Sequence, residues 1–441
     1  MKNLLHLRAP GNWINDPNGM IYYRGQYHLF YQYFPYEPRW GTMHWGHAVS
    51  RDLLTWEHQR IALYPSVYAD QNGCFSGSAI ERDGELVLYY TGVRYEVLNP
   101  EDIHRHVNGQ YEPSQLMLVS PDGIRFDNTK KRVVVPTILD AAIGDRRNTR
   151  DPKVWRDEQG VYHMVLGTTY EGRGRLLFYC STDGDTWEYQ NCCTAPNDTL
   201  GRMWECPDLF RVGGSWVVHL SPMAMEIDGA PAYQAACAVV EFDEENAKMT
   251  PPQSLSRIDY GWDLYAPQTC LDREGRRMMI GWMRMPAVVD AEVPWRGMMT
   301  APRLVEVRDG RVCYPLHPDV REAFTREIPA DAPYSGGEPR LYTLCLSEGE
   351  TAVIGGFRIF RENGSIVADR CVCCPGIETE KPLVSSPAAE GDEVLEVLVN
   401  DNIVECYVNR GAAVLSQTVY RFTGEMQLPA GARCYGMEAG R

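Results

Sequence analysis

Long hydrophobic runs are missing from this sequence. No stretch approaches the roughly 18 consecutive apolar residues that cross a membrane as a helix. The apolar residues near the amino terminus are interrupted by His6 and Arg8, so they are too few for the core of a signal peptide. We therefore predict no membrane span and a cytoplasmic location.

Positive charge is scarce relative to negative charge. Lysine and arginine together number 43, against 59 aspartate and glutamate residues, which gives a formal net charge of −16. Nucleic-acid backbones and anionic lipid surfaces are bound by clustered basic side chains. The composition therefore argues against nucleic acid or a membrane surface as a partner.

Residues that bind metals are present, but not at the spacing of a metal site. Cys371, Cys373 and Cys374 resemble half of a zinc site, yet no second Cys or His pair follows at the required spacing. His44 and His47 have no evident third ligand. We predict no metal and no cofactor. Because an export signal is missing, we expect the fourteen cysteines to be reduced and mostly buried.

What the chain does contain is many aromatic residues and a repeated strand pattern. Its 441 residues exceed what one hydrophobic core usually holds, and its 25 Tyr and 11 Trp residues suit β-strands and sugar-binding surfaces. A Gly-containing turn followed by a strand-like run occurs five times, with runs at Tyr27–Gln32, Leu86–Thr91, Tyr162–Gly167, Trp216–Ser221 and Met278–Trp282. This repeat predicts an all-β fold, with a five-bladed β-propeller over residues 1–312.

Three of the five units also contain a Ser-x-Asp element ahead of an aromatic residue. The elements are Ser50/Asp52/Trp56, Ser120/Asp122/Phe126 and Ser181/Asp183/Trp187. Ser and Asp oxygens at such positions accept hydrogen bonds from nearby backbone amides. We interpret these Asp residues as turn formers and not as catalytic groups.

The pattern changes after residue 312. A short helix is predicted at Asp319–Arg326, within a linker over residues 313–338 that is rich in Pro and Gly. Strand-like runs follow at Leu341–Leu346, Phe357–Phe360, Val394–Val399, Ile403–Val408 and Val414–Tyr420. They predict a small β-sandwich over residues 339–441.

Acidic residues occupy matched positions in three of the five units. The segments expected to precede the first strand of each unit are Asn15–Gly19, Phe75–Ser78, Arg150–Pro152, Glu205–Pro207 and Tyr265–Gln268. Asp16, Asp151 and Glu205 should therefore meet at one end of the channel. Rings are expected nearby, from Trp13, Trp40, Trp45, Phe75 and Trp204. A single Asp-Pro dipeptide is often only a turn, but carboxylates that recur among rings favour glycoside hydrolysis.

These segments resemble the motifs of glycoside hydrolase family 32. Trp13–Gly19 resembles the family's signature, and Tyr31–Gln32 with Met43–Ala48 resembles its next block. The remaining segments and Gly281–Met283 follow in the family's order. The resemblance extends over nearly the whole predicted propeller.

The resemblance implies a retaining β-fructofuranosidase that acts on sucrose, sucrose 6-phosphate or short fructo-oligosaccharides. Asp16 would be the ionised nucleophile, Glu205 the acid/base, protonated near neutrality, and Asp151 the transition-state stabiliser. The fructose pocket would be formed by Asn15, Gln32, Trp40, Phe75, Ser76, Arg150 and Trp282; plain packing stays an alternative for Trp40 and Trp282. A retaining pair of carboxyls should lie about 5 to 5.5 Å apart, whereas an inverting pair lies about 6.5 to 9.5 Å apart.

Two features concern the side of the leaving group. Phe34 stands where the family commonly has Asn. The segment Arg94–Ser114, with His104, Arg105 and His106, is long enough for a lid; it either binds a phosphate or is a solvated charged loop. Because the segment would narrow the channel mouth, we predict that short substrates are preferred over polymers.

Other functions stay open at this point. An inverting five-bladed glycosidase of the arabinanase kind, a transfructosylase and a non-catalytic sugar-binding propeller fit the same pattern. The preferred fructoside and the formation of a homo-oligomer are also open.

Overall fold

The computed structural model describes residues 2–389 and 393–438, which are nearly all β. Within these residues there is one α-helix, Pro318–Arg321, and there are three short 3₁₀ helices, Tyr68–Asp70, Asn128–Lys130 and Cys371–Cys373. No helix among them is long and apolar enough to span a membrane. The fourteen cysteines all lie in the described part of the chain as free thiols, and most are buried.

Five sheets follow one another along the first 304 residues. Sheet 1 contains Lys2–Leu4, Asn12–Tyr23, Gln26–Phe34, His44–Ser50, Thr55–His58 and Trp295–Arg296. Sheet 2 contains Cys74–Arg82, Glu85–Tyr95, Tyr111–Ser120 and Arg132–Val135. Sheet 3 contains Arg150–Arg156, Tyr162–Tyr170, Arg173–Ser181 and Glu188–Thr194. Sheet 4 contains Met203–Val212, Ser215–Met223, Ala236–Val240 and Ser256–Arg257. Sheet 5 contains Leu264–Leu271, Arg277–Met283, Met298–Met299 and Arg303–Leu304.

Three two-stranded pairs lie outside these sheets. They are Met225–Ile227 with Ala230–Ala232, Phe242–Asp243 with Lys248–Met249, and Glu306–Arg308 with Arg311–Cys313.

Each of the five repeated runs lies in the second strand of a hairpin, as predicted. The turn glycine before each run has a positive φ, between 79° and 89°, at Gly25, Gly84, Gly160, Gly214 and Gly275. Glycine is favoured there because it has no Cβ to clash in the left-handed region. The turn glycines therefore predict the positions of the five hairpins from the sequence.

Five strands, one from each of sheets 1 to 5, contact one another in a closed order. These inner strands are Asn12–Tyr23, Cys74–Arg82, Arg150–Arg156, Met203–Val212 and Leu264–Leu271. Each inner strand contacts the next along the chain, and the fifth contacts the first. The strand Trp295–Arg296 also pairs in parallel with residues 12–13 of the first inner strand. Matched positions of the inner strands are therefore neighbours in space.

The Ser-x-Asp elements form the predicted turns. The Asp52 Oδ1 atom accepts hydrogen bonds from the backbone N–H groups of Leu54 (2.9 Å) and Thr55 (2.8 Å). The corresponding contacts recur at Asp122 and Asp183. The interpretation of these Asp residues as turn formers is confirmed.

Two further sheets form the carboxyl-terminal part. A six-stranded sheet contains Phe324–Ile328, Arg340–Leu346, Glu393–Asn400, Ile403–Val408, Ala413–Thr418 and Arg433–Met437. A five-stranded sheet contains Thr351–Ile354, Phe357–Glu362, Ser365–Asp369, Leu383–Ser385 and Met426–Gln427. Apolar side chains from both sheets share one buried core.

The helix in this region is shorter than the sequence predicts. It spans Pro318–Arg321, and Phe324–Ile328 is instead a strand paired with Arg433–Met437. The prediction of helix over Asp319–Arg326 is therefore wrong beyond its first turn. Pairing with a distant strand satisfies the backbone groups of this segment, and short-range patterns do not reveal such pairing.

Buried charges join the carboxyl-terminal sheets to the first five. The Arg303 guanidinium pairs with Glu405 (2.6 Å) and Asp259 (2.8 Å), and all three side chains are buried. The His6 ring lies 2.8 Å from the second oxygen of Glu405. Arg370 and Asp263 form another buried pair. Buried ion pairs and hydrogen bonds thus connect segments near both ends of the chain to the first five sheets.

Candidate active site

Each inner strand contains a β-bulge at its motif. The strand register shifts between residues 14 and 17, 74 and 77, 150 and 153, 205 and 208, and 265 and 268. The prediction that the motifs precede the first strands is wrong, because they lie within them. A proline follows in four of the five motifs, and a bulge tolerates its missing N–H. Bulges re-aim side chains, so each motif turns residues toward the channel.

Three of the bulges have a strained residue just before the proline. Asp151, Cys206 and Ala266 have φ values of 66°, 46° and 47°. In each case the backbone N–H donates to a side chain of the preceding sheet: Thr91 Oγ1 (2.9 Å), Asp151 Oδ2 (3.0 Å) and Ser221 Oγ (3.0 Å). Such strain persists only where surrounding contacts hold it, and it concentrates at functional sites.

The bulges surround a cavity of about 680 Å³. All ten residues predicted for the site line it: Asn15, Asp16, Gln32, Trp40, Phe75, Ser76, Arg150, Asp151, Glu205 and Trp282. The three acids therefore share one cavity, although they lie far apart in the sequence.

Asp16 is held by a donor on each oxygen. The Ser76 hydroxyl donates to Asp16 Oδ2 (2.6 Å), and the Asn15 amide donates to Oδ1 (3.0 Å). Burial raises the pKa of the Asp16 carboxyl, and the charge of Glu205 adds to this. The two hydrogen bonds act in the opposite direction because they stabilise the ionised form.

Glu205 lies between a guanidinium and a phenol. Its Oε1 atom accepts a hydrogen bond from Arg150 Nη2 (2.7 Å), and its Oε2 atom lies 2.8 Å from the Tyr265 hydroxyl. The Glu205 side chain is 22% exposed, whereas that of Asp151 is 6% exposed. Of these two acids, Glu205 therefore has more contact with solvent in the cavity.

Asp151 is the most buried of the three acids. Burial raises the pKa of its carboxyl to about 7, and the charges of Glu205 and Asp16 add to this effect. The Arg150 guanidinium and the Cys206 N–H lower it. The Cys206 thiol also lies 3.6 Å from Asp151 Oδ2 and 3.5 Å from Asp16 Oδ2, and burial keeps its pKa well above the usual range. It is therefore a neutral donor between two carboxylates.

The rings near the acids differ in position from the prediction. Trp40 and Phe75 line the cavity, but Trp45 and Trp204 are buried in the cores of the sheets. Trp13 lies behind the wall, where its ring contacts Trp282 edge-on with centroids 5.9 Å apart. Which of these rings line the cavity and which are buried in the sheets depends on the tertiary structure.

Several lining residues escape prediction from the sequence. They are His106, Asn108, Gly109, Tyr111, Asp145, Arg147, Asn148, Cys206, Met223 and Tyr265. Cys206 and Tyr265 lie within the motif segments Glu205–Pro207 and Tyr265–Gln268, so the sequence contained a signal for both. Met223 is the last residue of the strand Ser215–Met223, and the others come from residues 106–111 and 145–148, which approach the mouth only in three dimensions.

Phe34 is buried and does not line the cavity. Its ring meets the His104 ring edge-on, with centroids 4.9 Å apart. The Phe34 side chain thus packs against His104 of the segment Arg94–Ser114.

Comparison with known proteins agrees with this geometry. A model described as the glycosyl hydrolases family 32 N-terminal domain matches residues 6–315. The chain belongs to glycosyl hydrolase family 32. The family resemblance found in the sequence is confirmed.

Relatives in family 32 span nearly the whole chain. A sucrose-6-phosphate hydrolase of Bacillus subtilis is 30% identical and covers 97% of this chain and 90% of its own length. A raffinose invertase of Escherichia coli is 33% identical, with coverages of 96% and 90%. A solved β-fructofuranosidase mutant of Bombyx mori, in complex with sucrose, is 26% identical with a TM-score of 0.80; the match covers 98% of this chain and 93% of that one.

Proposed function

We propose that this protein releases fructose from sucrose-type substrates with retention of configuration. It is a glycosyl hydrolase of the β-fructofuranosidase type, and the names of its relatives are those of enzymes that act on sucrose, its 6-phosphate or raffinose. The observation that carries the mechanism is the shared cavity of Asp16 and Glu205, which have different hydrogen-bond partners. Glycoside hydrolysis needs two such carboxyl groups in different roles.

Asp16 is the nucleophile in this proposal. Two donors fix the orientation of its carboxylate and stabilise its ionised form. The ionised group attacks the anomeric carbon of the fructosyl unit and forms a covalent intermediate. Water then releases fructose from that intermediate.

Glu205 is the acid and then the base. The Tyr265 hydroxyl lies 2.8 Å from both Glu205 Oε2 and the Ser221 carbonyl oxygen, and it has only one proton. A carbonyl oxygen can only accept, so both contacts are satisfied together when Glu205 Oε2 carries a proton and donates it to Tyr265. This geometry supports Glu205 as the proton donor to the leaving oxygen.

Asp151 and Arg150 complete the chemistry. Asp151 bonds fructose hydroxyls more strongly as positive charge develops on the ring, and such a gain in the transition state accelerates the reaction. Arg150 holds Glu205 by a hydrogen bond and lies 3.9 Å from Asp151, so it limits repulsion between the acids. Asn15, Gln32, Trp40, Phe75, Ser76 and Trp282 shape the fructose pocket.

The architecture belongs to the same proposal. Sheets 1 to 5 are the blades of a five-bladed propeller over residues 1–312, which the cyclic contacts of the inner strands support. The two last sheets form a sandwich, supported by their common core. It takes in Phe324–Ile328, so the linker expected over residues 313–338 ends before that strand, and the sandwich expected over residues 339–441 begins with it. The cytoplasmic location stays a prediction.

Kinetics of acid variants test the catalytic roles. The wild-type protein should release fructose from sucrose, and Asp16→Asn or Glu205→Gln should lower kcat by about a thousandfold or more. Asp16→Asn should still bind sucrose in calorimetry. Asp52→Asn is the matched control, because Asp52 forms a turn in the same sheet. A parent protein that binds sucrose but releases no fructose would leave a sugar-binding propeller as the answer.

The product distinguishes the remaining alternatives. A retaining reaction gives β-fructofuranose first, which proton NMR detects before the anomers equilibrate. Appearance of the opposite anomer would indicate an inverting glycosidase. Fructosylated sucrose as the main product at low sucrose concentration would indicate a transfructosylase. The carboxyl spacing of about 5 to 5.5 Å expected of a retaining pair stays a prediction.

A further inference from the structure

From the charges around the cavity we infer that the protein selects uncharged fructosides over those that carry a phosphate on the leaving sugar. The inference rests on the proposed function and names the substrate class of the same site. It assigns the discrimination to Glu96, which pairs with the cavity-lining guanidinium of Arg147.

The cavity itself is acidic. Among the described residues, four carboxylates line it, from Asp16, Asp145, Asp151 and Glu205, against two guanidiniums, from Arg147 and Arg150. Arg150 is bound to Glu205 (2.7 Å). Arg150 is therefore already bound and is not available to a phosphate.

Arg147 at the mouth is occupied as well. Its Nη2 atom donates to Glu96 Oε2 (2.9 Å). The neighbouring Arg146 pairs with both Glu96 and Glu112, and Arg94 pairs with Glu112. Two glutamates thus hold three arginines in one network, which ties residues 146–147 to the strands that flank the loop of residues 96–110.

The basic groups of that loop also have hydrogen-bond or ion-pair partners. The His104 ring bonds the Thr42 hydroxyl (2.9 Å), and the Arg105 guanidinium lies 3.5 Å from Asp102. His106 faces the cavity, but its Nδ1 atom accepts a hydrogen bond from the Gly109 N–H (3.0 Å). Burial and the nearby Arg150 also lower the pKa of the His106 ring. The ring is therefore a neutral donor, suited to a sugar hydroxyl.

A phosphate site needs cations or backbone N–H donors that are not already paired with other groups of the protein. Binding a dianion beside carboxylates without such partners costs the hydration of the phosphate and gains no charge-assisted bond. The mouth instead presents amides and a neutral ring, from Asn108, Asn148 and His106. These groups match the hydroxyls of an unphosphorylated leaving sugar.

The test compares kcat/KM for sucrose and sucrose 6-phosphate at low ionic strength. We expect at least a tenfold preference for sucrose, and we expect added salt to narrow it because salt screens repulsion. Equal turnover of the two, or a preference for the phosphate, would overturn the inference and leave the proposed function intact. If neither were hydrolysed, the proposed function would fail. Calorimetric binding of the two sugars would then decide the inference alone.

A pair of loop variants tests the role of Glu96. Glu96→Gln frees Arg147 and should raise the ratio of kcat/KM for the phosphate over sucrose by about three- to tenfold. Glu101→Gln removes the same charge from an exposed position on the same loop, outside the cavity lining, and should leave the ratio unchanged. An equal rise in both variants would show that general charge, and not the pairing of Arg147, sets the preference.

Discussion

The backbone N–H of Cys206 donates to Asp151 Oδ2 over 3.0 Å, so the residue after Glu205 is bonded directly to the acid of the preceding sheet. Both residues have left-handed backbone conformations within their bulges. One hydrogen bond therefore fixes the relative position of two of the three acids.

Ser76→Ala should shift the acid limb of the pH profile. The Ser76 hydroxyl lowers the pKa of Asp16, so its loss should raise that pKa further. Because the proposed nucleophile must be ionised, the acid limb of kcat/KM should move to higher pH. Ser114→Ala, outside the cavity lining, is the control. An unshifted limb in Ser76→Ala would contradict this role of the hydroxyl.

Tyr265→Phe should affect protonation of the leaving group. Without the hydroxyl, Glu205 Oε2 loses the contact that holds it. We expect kcat/KM for sucrose to fall about 10- to 100-fold. An aryl β-fructofuranoside with a good leaving group needs little protonation, so its first step should suffer much less. Equal losses for both substrates would mean that Tyr265 positions the sugar and not the acid.

Asp151 makes stability depend on pH. Burial raises its pKa from 3.8 to about 7, so between these values the folded state holds the proton more tightly than the unfolded state. The free energy of unfolding should therefore decrease as pH rises through this range. Asp151→Asn removes this titration. The free energy of unfolding of the variant, relative to that of the wild type, should therefore rise by roughly 1 to 3 kcal/mol between the acid and the neutral end of this pH range. Urea unfolding across the range measures this, and parallel curves would refute it.

Arg303→Met should destabilise the junction between the two parts of the chain. The substitution leaves Asp259 and Glu405 buried without their guanidinium, which costs about 3 to 5 kcal/mol. Arg321→Met breaks the pair with Glu396, whose arginine is 60% exposed, and should cost less than about 1 kcal/mol. Denaturant unfolding compares them; similar losses would mean that the buried network contributes little.

Short substrates should be preferred over polymers. His106, Asn108 and Gly109 of the loop line the cavity, so the loop narrows the approach to the acids. Sucrose should be turned over faster than long levan, measured as fructose released per enzyme. Equal turnover of both would contradict a narrowing role for the loop.

The sequence was sufficient for the five hairpins and for the choice of three acids that share one cavity. Turn glycines such as Gly84 and Gly214 mark hairpins because the required φ is local. The recurrence of acidic motifs predicts a common cavity, since matched positions of a closed ring are neighbours. Local patterns failed where pairing is distant, as in Phe324–Ile328, which joins a strand more than a hundred residues away.

What the sequence determined by itself is the repeat, the order of the motifs and the choice of the acids that are proposed to carry the chemistry. Only the tertiary structure decided which rings form the wall, since Trp45 and Trp204 are buried while Trp40 lines the cavity. It also decided that the loop's charges are paired, as Arg147 is with Glu96. Burial and long-range ion pairs depend on residues that come together only in the folded chain, so no local pattern encodes them.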